Sequence, residues 1–98
     1  MIQVLLPHAL SRHAGIDTLL TLELEGPVTP AAILGQIEDR HPVLRGMIRD
    51  HVTRARRPYL RFYACERDLS HEPMDQPLPD AVARGEQPFI VLGAISGG

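Results

Sequence analysis

Apolar and polar positions alternate from the start of the chain. Ile2, Val4 and Leu6 occupy one side of a period-two pattern, with Gln3 and Leu5 on the other, which predicts a first strand. Leu20, Leu22 and Leu24 alternate with Thr21, Glu23 and Glu25, predicting a second strand with one buried and one wet face. Pro7 to Asp17, carrying Gly15, reads as a connection, so the two strands are expected to form an antiparallel hairpin. Gly26-Pro27 ends the second strand.

The period then changes. Thr29 is placed to cap a helix and Pro30 suits its first position. Ile33, Leu34 and Ile37 share one helical face, while Gln36, Glu38, Asp39 and Arg40 point elsewhere. Pro42 disfavours helical geometry in the residue before it, so the helix should stop near His41. Val43, Leu44, Met47 and Ile48 predict a short second helix, and His51 to Arg57 a polar, basic loop. Leu60, Phe62 and Ala64 alternate with Tyr59, Arg61 and Tyr63, giving a third strand. Cys65 to Asp68 reads as a turn, and Leu69 as the start of a short fourth strand.

Glu72 to Pro79 reads as irregular because of its prolines. Leu78 to Gly85 reads as one helical turn closed by Gly85, and Phe89 to Ala94 as a last strand that is apolar on both faces. The result is an α+β layout, a sheet of four to five strands with one main helix on one face. Ile2, Val4, Leu6, Leu20, Leu22, Leu60 and Phe62 are the expected core positions.

Composition narrows the function. A length of 98 residues, 44% of them hydrophobic, fits one globular domain, here residues 1–98 with a flexible tail at 94–98. A net charge of −2 provides no field for a nucleic acid or a membrane surface, and neither is expected as a partner. The longest nearly apolar run, Pro88 to Ile95, is far shorter than the roughly 20 residues of a membrane helix. No basic region precedes the first apolar stretch, so no signal peptide is expected. A single cysteine, Cys65, excludes an internal disulfide, and the expected compartment is the cytoplasm.

The chain contains no lysine, which excludes a Walker A phosphate loop and Schiff-base chemistry. His8, His13, His41, His51 and His71 lack metal-site spacing, so no metal is expected. Arg54, Arg56, Arg57 and Arg61, interleaved with Tyr59, Phe62 and Tyr63, have the look of an RNA-facing strand. Acidic residues balance them, and a solvated loop is the better account. Cys65 reads as a small hydrophobe at a strand end.

The strongest chemical signal is the ending Ile95-Ser96-Gly97-Gly98. It follows the apolar run Phe89 to Leu92, which anchors it, and residues 94–98 span about 17 Å when extended. Two glycines without side chains can enter a narrow channel in another protein. A terminal carboxylate is ionised at neutral pH, with a pKa near about 3.5, and resists nucleophiles until it is activated. Adenylation with ATP supplies a leaving group, and a sulfur nucleophile can then displace AMP to leave a thiocarboxylate on Gly98. With no phosphate loop in this chain, the activating enzyme must be another protein.

The strand and helix order, the Ala83-Arg84-Gly85-Glu86 turn before the last strand and the ending Ala94-Ile95-Ser96-Gly97-Gly98 resemble the MoaD/ThiS family. That resemblance implies a ubiquitin-like β-grasp fold with a mixed sheet. It also implies a sulfur carrier with Gly98 as the adenylated and thiocarboxylated residue and Gly97 giving clearance. No bound cofactor is implied, since the ATP is used by the partner. The implied partners are an E1-like adenylating enzyme, a sulfur donor protein and a sulfur-accepting synthase subunit. The chain would then be a carrier or small subunit, as in molybdopterin synthase, rather than an enzyme on its own. Molybdopterin synthesis is the expected destination, with thiamine thiazole the alternative. A ubiquitin-like modifier and a non-catalytic interaction module remain open. Leu5, Tyr59, Arg61 and Tyr63 on the sheet face away from the helix, with Ile95 and Ser96 of the tail, are the expected partner-binding residues.

Overall fold

The computed structural model describes residues 1–93, and Ile95, Ser96, Gly97 and Gly98 lie outside the described residues. The strands are β1 (Ile2–Leu5), β2 (Leu19–Leu22), β3 (Leu60–Ala64), β4 (Arg67–Asp68) and β5 (Phe89–Gly93). The helices are α1 (His8–Ala14), α2 (Pro30–Arg40) and α3 (Asp80–Ala83), with a 3-10 turn at Pro42–Leu44. One five-stranded sheet has the order β2-β1-β5-β3-β4. β5 runs parallel to β1, and every other pairing is antiparallel.

The β1–β2 pairing is the expected one, with Ile2 opposite Leu22 and Val4 opposite Leu20. Its connection is not a plain loop. Residues 8–14 form α1, which buries Leu10 and ends at Gly15 in the left-handed region (φ 70°). Helix α2 forms as its signals dictate. The Thr29 side chain accepts from the Ala32 N–H at 3.0 Å, Pro30 opens the first turn, and Ile33, Leu34 and Ile37 are fully buried.

The expected short second helix is reduced to the 3-10 turn. Gly46, at φ 81°, reverses the chain before a second helical turn can follow, while Leu44 and Ile48 still reach the core. β4 begins at Arg67 rather than Leu69, after a turn in which Cys65 and Glu66 both take positive φ.

The core lies between the sheet and α2. Phe62 of β3 and Phe89 of β5 anchor it, with ring centroids 5.3 Å apart and planes tilted by 51°. Burying each such ring is worth about 1.5–3 kcal/mol. Leu20, an expected core residue, is only partly buried because β2 is an edge strand.

Candidate docking face and chain exit

Side chains alternate across a strand, so packing Ile2, Val4, Phe62, Phe89 and Val91 inward turns their neighbours to the opposite face. The register assembles that face. Leu5 lies beside Leu19 and Ile90, Tyr63 beside Ile90 and Asp68, and Arg61 beside Leu92. Leu19, Leu92 and Tyr59 keep 49%, 47% and 53% of their surface exposed. The segment around Met47 meets this face at Tyr59, while its Leu44 and Ile48 are buried in the core and Leu19 and Leu92 stay exposed. The structure thus brings Leu5, Tyr59, Arg61 and Tyr63 onto one open surface and adds Leu19 and Leu92. The alternation already visible at 19–25 and 89–94 carries the signal for both additions.

Polar contacts hold parts of this surface in place. Arg61 Nη1 donates to Asp68 Oδ2 at 3.0 Å, and the Tyr59 hydroxyl donates to the Met47 carbonyl at 3.2 Å. The Asp68 carboxyl is pulled down to about 2, first by hydrogen bonds from the Ser70 hydroxyl and amide, then by the Arg61 charge. A groove lined by Pro58, Tyr59, Arg61, Tyr63, Leu92 and Gly93 sits where β5 ends. β5 lies between β1 and β3, so the chain leaves from the middle of the sheet.

Two arginines of the run, Arg56 and Arg57, are tied inside the molecule, while Arg54 and Arg61 stay largely exposed. Arg56 donates to the carbonyls of Ser70 and Leu60 at 2.8 and 2.6 Å, and Arg57 to that of Gly46 at 2.8 Å. These side chains tie the loop to β3 and are not arrayed for phosphate contacts. Asp50 receives the amides of Thr53 and Val52, which hold its carboxyl below the ordinary range. Cys65 is partly buried at the β3–β4 turn. Among the described residues no group of three or more His, Cys, Asp or Glu is placed to hold a metal, and no helix is long and apolar enough to cross a membrane.

No protein-family model and no curated protein sequence matches the chain. Solved structures do. SAMP1 from Haloferax volcanii is 14% identical with a TM-score of 0.73, over 98% of this chain and 97% of that one. A chain of the Amycolatopsis orientalis BexX/CysO complex is 19% identical with a TM-score of 0.73, each chain covered in full. A second structure, of H. volcanii small archaeal modifier protein 1, is 11% identical with a TM-score of 0.70, over 95% of both chains. The expected ubiquitin-like β-grasp is therefore the observed fold, and the MoaD/ThiS resemblance holds at the level of fold.

Proposed function

We propose that this protein is a ubiquitin-like sulfur carrier acting through the carboxyl group of Gly98. The observation that carries the reading is the end-to-end β-grasp match joined to a sheet whose central strand runs out at Gly93, with three residues between it and a Gly-Gly ending. That arrangement suits a protein that rests its sheet on a partner while its tail enters the partner's active site.

The chemistry assigns every group. The Gly98 carboxylate attacks the α-phosphorus of ATP on an E1-like partner, and pyrophosphate leaves. Sulfur at the sulfide level, delivered by a donor protein, adds to the acyl carbon. The C–O bond to AMP then breaks, AMP takes the electron pair, and a thiocarboxylate remains. A synthase subunit consumes that sulfur. Molybdopterin synthesis is the first destination to assay and thiamine thiazole the second. This chain supplies the carbonyl carbon and the docking surface, with Leu5, Tyr59, Arg61 and Tyr63 on the sheet and Ile95 and Ser96 leading to the reactive end.

Intact-mass spectrometry tests the proposal. Incubation with ATP, the activating enzyme and a sulfur donor should add the mass difference between one sulfur and one oxygen. Deleting Gly98 should abolish that gain while leaving thermal unfolding unchanged. A protein whose natural C-terminus extends past Gly98 with no trimming, or a deletion variant that still gains sulfur, rejects it.

A second reading, a protein modifier, is favoured by the likeness to the small archaeal modifier protein. The same activated carboxyl would then join Gly98 to an amine on another protein. Having no lysine, this chain would not itself accept a lysine isopeptide. Covalent adducts in cell extract that require Gly98 and persist after thiol treatment would select this reading over the carrier.

A further inference from the structure

The two edges of the sheet are built differently. On the β3 side, the backbone beyond the short β4 is occupied. The Phe62 N–H donates to Ser70 Oγ at 2.9 Å, its carbonyl accepts from the Leu69 N–H at 2.7 Å, and the Leu60 carbonyl accepts from Arg56 at 2.6 Å. On the other side, β2 ends the sheet. The Leu6 N–H donates to the Thr18 carbonyl at 2.8 Å, and Leu20 lies opposite Val4. The antiparallel alternation therefore turns the backbone groups of Thr18, Leu20 and Leu22 toward β1 and those of Leu19 and Thr21 outward. The strand Leu-Leu-Thr-Leu is short, four residues, but carries neither proline nor charge to blunt its edge.

At the Leu22 end of this strand a cavity of about 760 Å³ opens toward α2 and α3, with Met1, Leu22, Leu24 and Val28 in its lining, Gln36 on α2 and Ala83 on α3. Glu23 and Glu25 also line it, both exposed, and among the described residues neither lies within ion-pair distance of an arginine.

We infer that the outer edge of β2 docks an extended apolar peptide segment of a partner protein, flanked by basic residues, as an added strand. The outward groups of Leu19 and Thr21 pair with its backbone, an apolar side chain at the Leu22 end of that pairing reaches Leu22, Leu24 and Val28 in the cavity, and its Lys or Arg residues meet Glu23 and Glu25. A second copy of this chain is the poorer occupant. Antiparallel β2–β2 pairing sets Asp17 of one copy against Glu23 or Glu25 of the other, and like charges opposite one another destabilise a strand pair. The inference does not depend on the chemistry at Gly98.

The test titrates the full-length, isotope-labelled protein with a synthetic peptide of alternating valine and threonine carrying arginine at both ends, read by amide NMR. Saturable shifts should centre on Leu19, Thr21 and Glu23, with the Leu19 and Thr21 amides newly protected from exchange. Thr21→Pro removes an outward donor that the fold does not use and should weaken binding about tenfold or more, roughly 1.4 kcal/mol. The pair Glu23→Arg with Glu25→Arg, at exposed positions, should weaken the arginine peptide by a similar factor and favour a glutamate-ended one. Absence of saturable shifts, shifts centred on Tyr63 and Leu92, indifference to the charge reversal, or dimerisation of the free protein through β2 each overturns the inference.

Discussion

Arg49 clasps Glu38 beneath the surface. Its Nε donates to both carboxylate oxygens at 3.2 and 3.0 Å, and Nη2 adds a third bond to Oε1 at 2.9 Å, with both side chains under a tenth exposed. The pair bolts α2 to the segment that follows the 3-10 turn. Its geometry is the bidentate one that makes arginine and carboxylate a matched set.

Breaking one half strands the other. Glu38→Ala leaves a buried guanidinium without its counter-charge and should cost about 3–5 kcal/mol in urea unfolding. The joint replacement Glu38→Leu with Arg49→Met removes both charges and should cost less than either single truncation. A double variant less stable than Glu38→Ala would show that the pair contributes more than charge cancellation.

Gly85 and Gly15 make a matched comparison. Both take positive φ, 76° and 70°. A Cβ at Gly15 meets open space, whereas one at Gly85 collides with the carbonyl oxygen of Met1. Gly15→Ala should cost only the left-handed backbone penalty, about 1–2 kcal/mol. Gly85→Ala should cost clearly more, because β1 must shift as well. Paired thermal melts decide it, and equal losses would mean that the chain start yields freely.

Asp68 makes stability depend on acid. Its folded-state pKa of about 2 lies below the ordinary value of 3.8, so the carboxylate is better stabilised in the native state. That contribution is complete above the ordinary value and is lost as the pH falls from about 4 toward about 2. Asp68→Asn should flatten the pH dependence of the melting temperature in that window and leave its shape near neutrality unchanged. Ser70→Ala should move the Asp68 titration, followed by carboxyl NMR, back toward 3.8.

The open face should be separable from stability. Leu92 is nearly half exposed, so Leu92→Asp should change the melting temperature little. Together with Tyr63→Asp it should weaken capture by the activating enzyme at least about tenfold, as expected of a truncated hot spot. Unaltered capture would place the contact elsewhere.

Much of this was legible in the linear pattern. Thr29-Pro30 announces the start of α2 and Pro42 its end, because capping and proline sterics are local effects. The alternations around Ile2, Leu20, Leu60 and Phe89 mark four strands, because a half-buried pleat needs a period of two. The α1 helix was not legible. Its His8-Ala-Leu-Ser-Arg-His-Ala has few apolar positions, and the burial of Leu10 against the core is what makes it worth forming. Glu38 lies off the Ile33-Leu34-Ile37 face in the linear pattern, which gives no sign of its burial. It is buried because Arg49, eleven positions on in the chain, arrives to neutralise it.

By itself the sequence determined the four main strands, the position of the main helix, the side of each of those strands that is apolar and the Gly-Gly ending. Those properties depend on neighbours within a few residues. Only the tertiary structure decided that β5 slots between β1 and β3, that one sheet edge is sealed by Ser70 and Arg56 while β2 stays open, and that Arg56 and Arg57 of the basic loop turn to internal carbonyls. The β5 pairings join groups far apart in the chain, where the gain from burial and hydrogen bonding must outweigh the entropy of closing long loops, and the arginine and serine contacts depend on where those strands place their carbonyls and amides, so no local pattern records them.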